Sequence, residues 1–314
     1  MSSIFYEISF LVKWGPTAPF FAPRPSSPGG NMPKVAVLAF PGTNCEYESV
    51  RACEAAGLDA EIVRWNEPDK LRSADAYFLA GGFSFQDRVR AGAIGAKEAV
   101  LDEVSRAADA GKPVLGVCNG AQTLLEAGLV PGLAAGHPLE MALDSNAHGY
   151  LCRWTYLRVE NPTKSLFTTL YEEGEVVPVP MAHAEGRFTT GDREILALVE
   201  KNGQVAFRFA NPDGSPADGN YPTNPNGALD DLAGVTNPAG NVLAVMPHPE
   251  RASWLWQLPR ELEGPWGERR RAYDGKARGL TERSELCPRQ NPLSEAGPGR
   301  KLFLSLAAHL GVRA

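Results

Sequence analysis

The chain has 314 residues, 43% of them hydrophobic and 22% charged, with a formal net charge of −6. Its length fits one large domain or two small ones of ordinary globular composition. The acidic excess argues against a general binder of nucleic acid or of anionic membranes, and no apolar stretch reaches the length of a membrane span.

The first residues, SIFYEISFLVKWG (3–15), are apolar but carry Glu7 and Lys13 and lack the basic start of a secretory signal. PTAPFFAPRPSSPGGN (16–31) is rich in Pro, Ser and Gly and reads as a linker. Residues 1–31 are therefore expected to be an extension outside the fold, with Met32 directly before the first strand, KVAVLAF (34–40). PGTNCEYESVRACEAAG (41–57) predicts a glycine turn, a Thr43-x-x-Glu46 capping box and a helix ended by Gly57. Strands follow at 59–65 and 74–84, the latter running into a double glycine, and then an amphipathic helix over 95–111. KPVLGV (112–117) is a buried strand and NGAQTLLEAG (119–128) a helix stopped by Gly128. This rhythm predicts an α/β fold, a parallel sheet with helices on both faces.

The second half predicts an antiparallel flank, with strands at 149–160, 175–183, 194–202 and 204–210. A polar turn region (211–227), a buried strand (241–250) and a last helix (299–311) complete a single domain over 32–314. Residues 259–298 are charged, rich in Pro and Gly and weakly patterned, so they read as an inserted surface loop. Its run Arg269-Arg270-Arg271 reads as a solvated face.

Five cysteines, Cys45, Cys53, Cys118, Cys152 and Cys287, are scattered without a CxxC pair. An odd, dispersed set forms neither a disulfide framework nor a zinc site, and it fits a reducing cytoplasm. GVCNGAQ (116–122) places Cys118 between a strand and a helix in the pattern Gly-x-Cys-x-Gly. Such an elbow strains the central residue, and the helix N-terminus behind it favours a thiolate. A plain core cysteine is the competing reading, because free cysteine is usually buried. In a doubly wound sheet ligands gather at the carboxyl ends of the strands, where GGFS (81–84), Cys118 and PHPE (247–250) fall. His248 and Glu250, two apart in an extended segment, can face one side, and an imidazole oriented by a carboxylate is the base a thiol needs. Alone, HPE is a turn with a satisfied histidine; beside the elbow it reads as catalytic. The N–H groups of Asn119 and of Gly82 or Phe83 are the expected oxyanion donors.

Together these motifs resemble the class I (triad) glutamine amidotransferases. PGTNCE (41–46), GGFSFQDRVRAGAI (81–94), MAHAEGRF (181–188) and MPHPER (246–251) narrow the resemblance to the branch that serves as the glutaminase subunit of phosphoribosylformylglycinamidine synthase. The likeness covers about Lys34 to Arg251 and the last helix. It implies a flavodoxin-like fold and the following roles. Cys118 is the nucleophile, His248 the base and acid, and Glu250 orients His248. Gln122 lines the glutamine pocket, and His183 and Glu185 hold the substrate's amino-acid end. The ammonia released from glutamine would pass to a large ATP-dependent synthetase subunit, which makes the amidine of formylglycinamide ribonucleotide for purine synthesis. A small third subunit would bridge the two. The chain has no glycine-rich nucleotide loop, so ATP and Mg would belong to the partner and no metal or cofactor to this chain. A pyridoxal phosphate synthase glutaminase is one alternative, opposed by PGTNCE and MAHAEGRF. A non-amidotransferase member of the cysteine-elbow superfamily is another, opposed by the His-x-Glu pair. The chain departs from the family pattern at Gln86 and Ala184, where glycine is usual.

Overall fold

The computed structural model describes residues 32–280 and 295–312. The extension expected at 1–31 lies outside the described residues, as does 281–294 of the expected insert. Five strands form the parallel part of one nine-stranded sheet: β1 (Lys34–Ala39), β2 (Asp59–Arg64), β3 (Ala76–Leu79), β4 (Val114–Val117) and β11 (Val242–Val245), in the order β2-β1-β3-β4-β11. β3, β4 and β11 are buried at every residue, which is why each reads as an unbroken apolar run. Beyond β11 the sheet turns antiparallel through β10 (Leu232–Thr236), β9 (Val205–Ala210), β6 (Leu151–Val159) and β7 (Val176–His183). β5 (Ala142–Ser145) and β8 (Glu185–Thr189) form a separate two-stranded sheet.

Helices cover both faces of the parallel part. α1 (Glu46–Ala55) packs with α7 (Arg300–His309), and α2 (Pro68–Leu71) packs with α3 (Ala99–Asp109). α3 buries Val100, Leu101, Val104, Ala107 and Ala108, a helical stripe that the sequence displays plainly. α4 (Asn119–Glu126) buries every residue from Asn119 to Leu125, so it is wedged into the core rather than laid on it. Phe303 of α7 meets Phe78 of β3 at 5.9 Å between ring centroids.

Three local expectations are corrected. Thr43 does not cap α1: its Oγ1 accepts the N–H of Phe40 at 2.9 Å, closing the loop after β1, and Cys45 is the capping residue. Residues 194–202 are not a strand but α5 (Arg193–Lys201), begun by Asp192 Oδ1 accepting the N–H of Glu194 at 2.8 Å. Ile195, Leu196 and Val199 share its inner face at the 3–4 spacing of a helix, while Leu198 points outward. The stretch read as a loop contains α6 (Gly264–Leu280), with Leu262 and Tyr273 buried against Leu255 and Leu258. Arg269 and Arg271 are exposed, in keeping with a solvated face, and all three arginines are also tied to the neighbouring chain. Arg269 stacks on Trp266 at 4.7 Å, Arg270 donates to the Leu258 carbonyl at 2.8 Å and pairs with Asp274, and Arg271 donates to the Leu262 carbonyl at 3.1 Å.

Candidate active site

Cys118 sits between β4 and α4 with φ 52° and ψ −110°, a backbone conformation costly for any residue with a side chain. The two glycines of the elbow are there for space rather than for a turn of their own. A Cβ on Gly120 would lie 1.9 Å from the Leu79 carbonyl oxygen, and one on Gly116 would lie 2.7 Å from the Gly120 backbone. The N–H of Cys118 donates to the Val245 carbonyl at 2.9 Å, fixing the elbow to the end of β11. Its thiol faces the Ala182 carbonyl of β7, at 3.8 Å.

His248 follows β11, and its N–H donates to the Pro180 carbonyl at 2.8 Å, so β7 holds it as well. The expectation of an extended His-x-Glu segment is replaced by a turn. Pro249–Ala252 form a single 3-10 turn, which swings the Glu250 carboxylate back to 2.6 Å from His248 Nδ1. Both side chains are buried, Glu250 completely. Burial alone would push the imidazole down, but the Glu250 charge and then the two thiols beside it hold His248 well above the ordinary histidine range. A Cβ on Gly81 would lie 2.8 Å from His248 Cε1, 3.2 Å from Cys45 Sγ and 3.3 Å from Cys118 Cβ. The absent side chain of Gly81 is therefore what lets histidine and both cysteines converge.

Of the expected oxyanion donors, Phe83 is corrected. Its N–H donates to the Gly42 carbonyl at 2.9 Å, because the loop after β3 interlocks with the loop after β1. A Cβ on Gly42 would meet the Phe83 carbonyl oxygen at 2.1 Å, and one on Gly82 would meet Thr43 Cα at 2.6 Å. Asn119 is the first residue of α4, directly after Cys118, where helix N–H groups are unpaired by the helix itself.

Gln122 donates from Nε2 to the Glu185 carbonyl and accepts from Asn119 Nδ2 at 2.9 Å, and the Glu185 carboxylate accepts the N–H of Ala91 at 3.1 Å. His183, expected to help hold the substrate's amino-acid end, is enclosed by the protein. It is 2% exposed, its ring nitrogens have no hydrogen-bond partner among the described residues, and burial followed by the His248 charge lowers its pKa to about 3. A neutral, enclosed ring packed on Gly186 cannot grip a carboxylate as a cation.

Several further residues serve the site without having been expected there from the sequence. Asn146 clamps the 183–186 backbone, donating to the His183 carbonyl at 2.7 Å and accepting the Gly186 N–H at 2.9 Å. Asp87 accepts from Asn119 Nδ2 at 3.3 Å, and burial together with the Glu185 charge raises its pKa to about 6. Arg251 reaches Cys45 Sγ and Glu48, each at 3.2 Å. Phe85, Gln86 and Asp87 all have positive φ, which explains why glycine suits position 86. Ala184 is exposed and outside the left-handed region, so it needs no glycine.

Ligand atoms of Cys45, His248 and Glu250 lie within 4.8 Å of one another. The carboxylate is committed to His248 Nδ1 and a guanidinium rests on the Cys45 sulfur, so a cation there would face a fixed positive charge. A cleft of about 410 Å³ between β6, β9 and residues 259–263 shares no residue with the cysteine site. Among the described residues no helix is long and apolar enough to cross a membrane.

A cysteine elbow and a buried His–Glu pair at the carboxyl edge of a parallel sheet define a glutamine amidotransferase. Residues 32–274 match the CobB/CobQ-like glutamine amidotransferase domain, and the chain belongs to that family. It is 41% identical over 264 residues to the phosphoribosylformylglycinamidine synthase subunit PurQ of Methanothrix thermoacetophila, spanning 80% of this chain and 99% of that one. Its identity to the same subunit of Methanopyrus kandleri is 47% over 223 residues, 71% of this chain and 90% of the other. A chain in the solved structure of PurLQS from Thermotoga maritima superposes with a TM-score of 0.63 at 29% identity, covering 89% of this chain and all of that one.

Proposed function

We infer that this enzyme is the glutaminase subunit of a phosphoribosylformylglycinamidine synthase, hydrolysing glutamine to glutamate and ammonia. The observation that carries this is the convergence of Cys118 with the buried His248–Glu250 pair over Gly81. The Cys118 thiolate attacks the side-chain amide carbon of glutamine, while the N–H groups of Gly82 and Asn119 receive the oxyanion. His248 protonates the departing ammonia and then deprotonates the water that hydrolyses the thioester. Glu250, acting through Nδ1, keeps the imidazole in the tautomer and orientation both steps need. Gln122 and Glu185 line the glutamine pocket, with Asn146 holding the loop that carries Glu185.

The ammonia is used elsewhere. A large ATP- and Mg-dependent synthetase subunit converts formylglycinamide ribonucleotide to its amidine, and a small subunit bridges the two in the cytoplasm. The PurLQS assembly in which the similar Thermotoga chain was solved supports that arrangement. A glutamine analogue with an electrophilic γ-carbon tests the reading. It should label Cys118 alone among the five cysteines and abolish glutaminase activity in proportion; labelling of another cysteine with Cys118 untouched would overturn it.

A further inference from the structure

Cys45 is a second thiol in the site for which glutamine hydrolysis has no use. Its Sγ donates to Asn44 Oδ1 at 3.2 Å, receives Arg251 Nη2 at 3.2 Å, and shares His248 with Cys118. Its backbone N–H donates to the Gly81 carbonyl at 3.1 Å, so the loop after β3 holds it against the elbow. One point over Gly81 lies 3.2 Å from Cys45 Sγ, 3.3 Å from Cys118 Cβ and 2.8 Å from His248 Cε1, so the two cysteines and the imidazole meet over one glycine. Two further cysteines are poorer partners. Cys53 is fully enclosed in α1, and Cys152 points to solvent from β6.

We propose that Cys45 is a resolving cysteine, and that peroxide converts Cys45 and Cys118 into a reversible disulfide that switches the glutaminase off and shields its nucleophile. The step rests on Cys118 being the reactive thiol of the site. The Cys118 thiolate attacks one oxygen of hydrogen peroxide; an S–O bond forms, the O–O bond breaks, and the hydroxide released takes the His248 proton to become water. Sulfur is oxidised by two electrons and the peroxide is reduced. Cys45 then passes its proton to the neutral His248 and, as a thiolate facing the Arg251 guanidinium, attacks the sulfenic sulfur. The S–S bond forms, the S–O bond breaks, and the departing hydroxide leaves as water with the proton from His248. Two thiols and one peroxide give one disulfide and two waters. Without Cys45 the sulfenic acid would go on to the sulfinic acid, which thiols do not reduce.

The test treats the full-length protein with hydrogen peroxide and digests it, unreduced, with trypsin and a glutamate-specific protease. The wild type should yield a Cys45–Cys118 cross-linked peptide, lose at least nine-tenths of its activity in step with that peptide, and recover on adding dithiothreitol. Cys45→Ser, normalised to its own untreated rate, should lose activity without recovery and carry Cys118 as the sulfinic acid. A Cys118–Cys152 cross-link, or a wild type inactivated as the sulfinic acid with no cross-link, would overturn the proposal. So would a Cys45→Ser variant that recovers as fully as the wild type. The cross-link is read by mass and the role of Cys118 by untreated glutaminase activity, so failure of one is distinguishable from failure of the other.

Discussion

The parallel and antiparallel halves of the sheet meet at β11, and they contribute to the site in different ways. The parallel half supplies the reacting groups on strained or tightly packed turns: the elbow at Cys118, the interlocked glycines at 42 and 82, and the left-handed run at 85–87. The antiparallel half supplies backbone carbonyls. Pro180 holds the His248 N–H and Ala182 faces the Cys118 thiol, while Asn146, just after β5 of the small separate sheet, fixes the loop between β7 and β8. One half thus stores strain where chemistry happens and the other holds that strain in place. Side chains can be deleted in the second half with graded loss, whereas backbone space in the first cannot be filled without unfolding it.

Gly120→Ala gives the largest expected loss of stability. Its Cβ would meet a backbone oxygen at 1.9 Å, at a contact where α4 and β3 are both buried. A destabilisation of about 3 kcal/mol or more is expected, read as a lower denaturant midpoint. An unchanged midpoint would mean that the elbow is looser than its packing implies.

Glu250→Gln breaks the comparison chemically rather than sterically. It leaves His248 buried without the charge that holds its proton, so its pKa should fall. The alkaline limb of the activity profile should move to lower pH, with kcat reduced about 10²–10⁴-fold. Stability follows the same sign. A histidine raised in the folded state contributes fully below its unfolded pKa of about 6.5, and loses that contribution as pH rises through the raised value. In the variant that alkaline loss should flatten. An alkaline limb that does not move would show that Glu250 does not govern His248.

The smallest effect belongs to the strained loop. Gln86 has φ 62° and ψ 27°, partly offset by its side chain accepting from Arg88 at 2.9 Å. Gln86→Gly should relieve about 0.5–1 kcal/mol of left-handed strain and raise Tm by about 1–3 °C. A lower Tm would mean that the Arg88 contact outweighs the strain.

What the sequence made legible was whatever local spacing dictates. The unbroken apolar runs of β1, β4 and β11, the Gly-x-Cys-x-Gly elbow and the nearness of His248 to Glu250 all follow from short-range pattern. What stayed hidden depends on partners distant in the chain. Phe83 looked free to donate until the loop after β1 took its N–H, and Thr43 looked like a cap until it closed its own loop. The α5 segment was dense enough in apolar residues to read as a strand, although Asp192 and the 195/196/199 spacing already marked a helix. Cys45 lies 73 residues from Cys118, and only the sheet brings the two together.

Separating ammonia production from ammonia use tests the central claim most directly. Cys118→Ala removes one buried sulfur and leaves the elbow, the sheet and the outer surface as they are. Assembled with the synthetase subunits, the variant should lose glutamine-dependent amidine formation by several orders of magnitude, because the imidazole and the oxyanion donors cannot replace the missing nucleophile. With a high concentration of ammonium salt in place of glutamine, the same complex should form the amidine at close to the wild-type rate. Glutamine-dependent turnover near the wild-type rate would contradict the account, leaving Cys118 as a core residue.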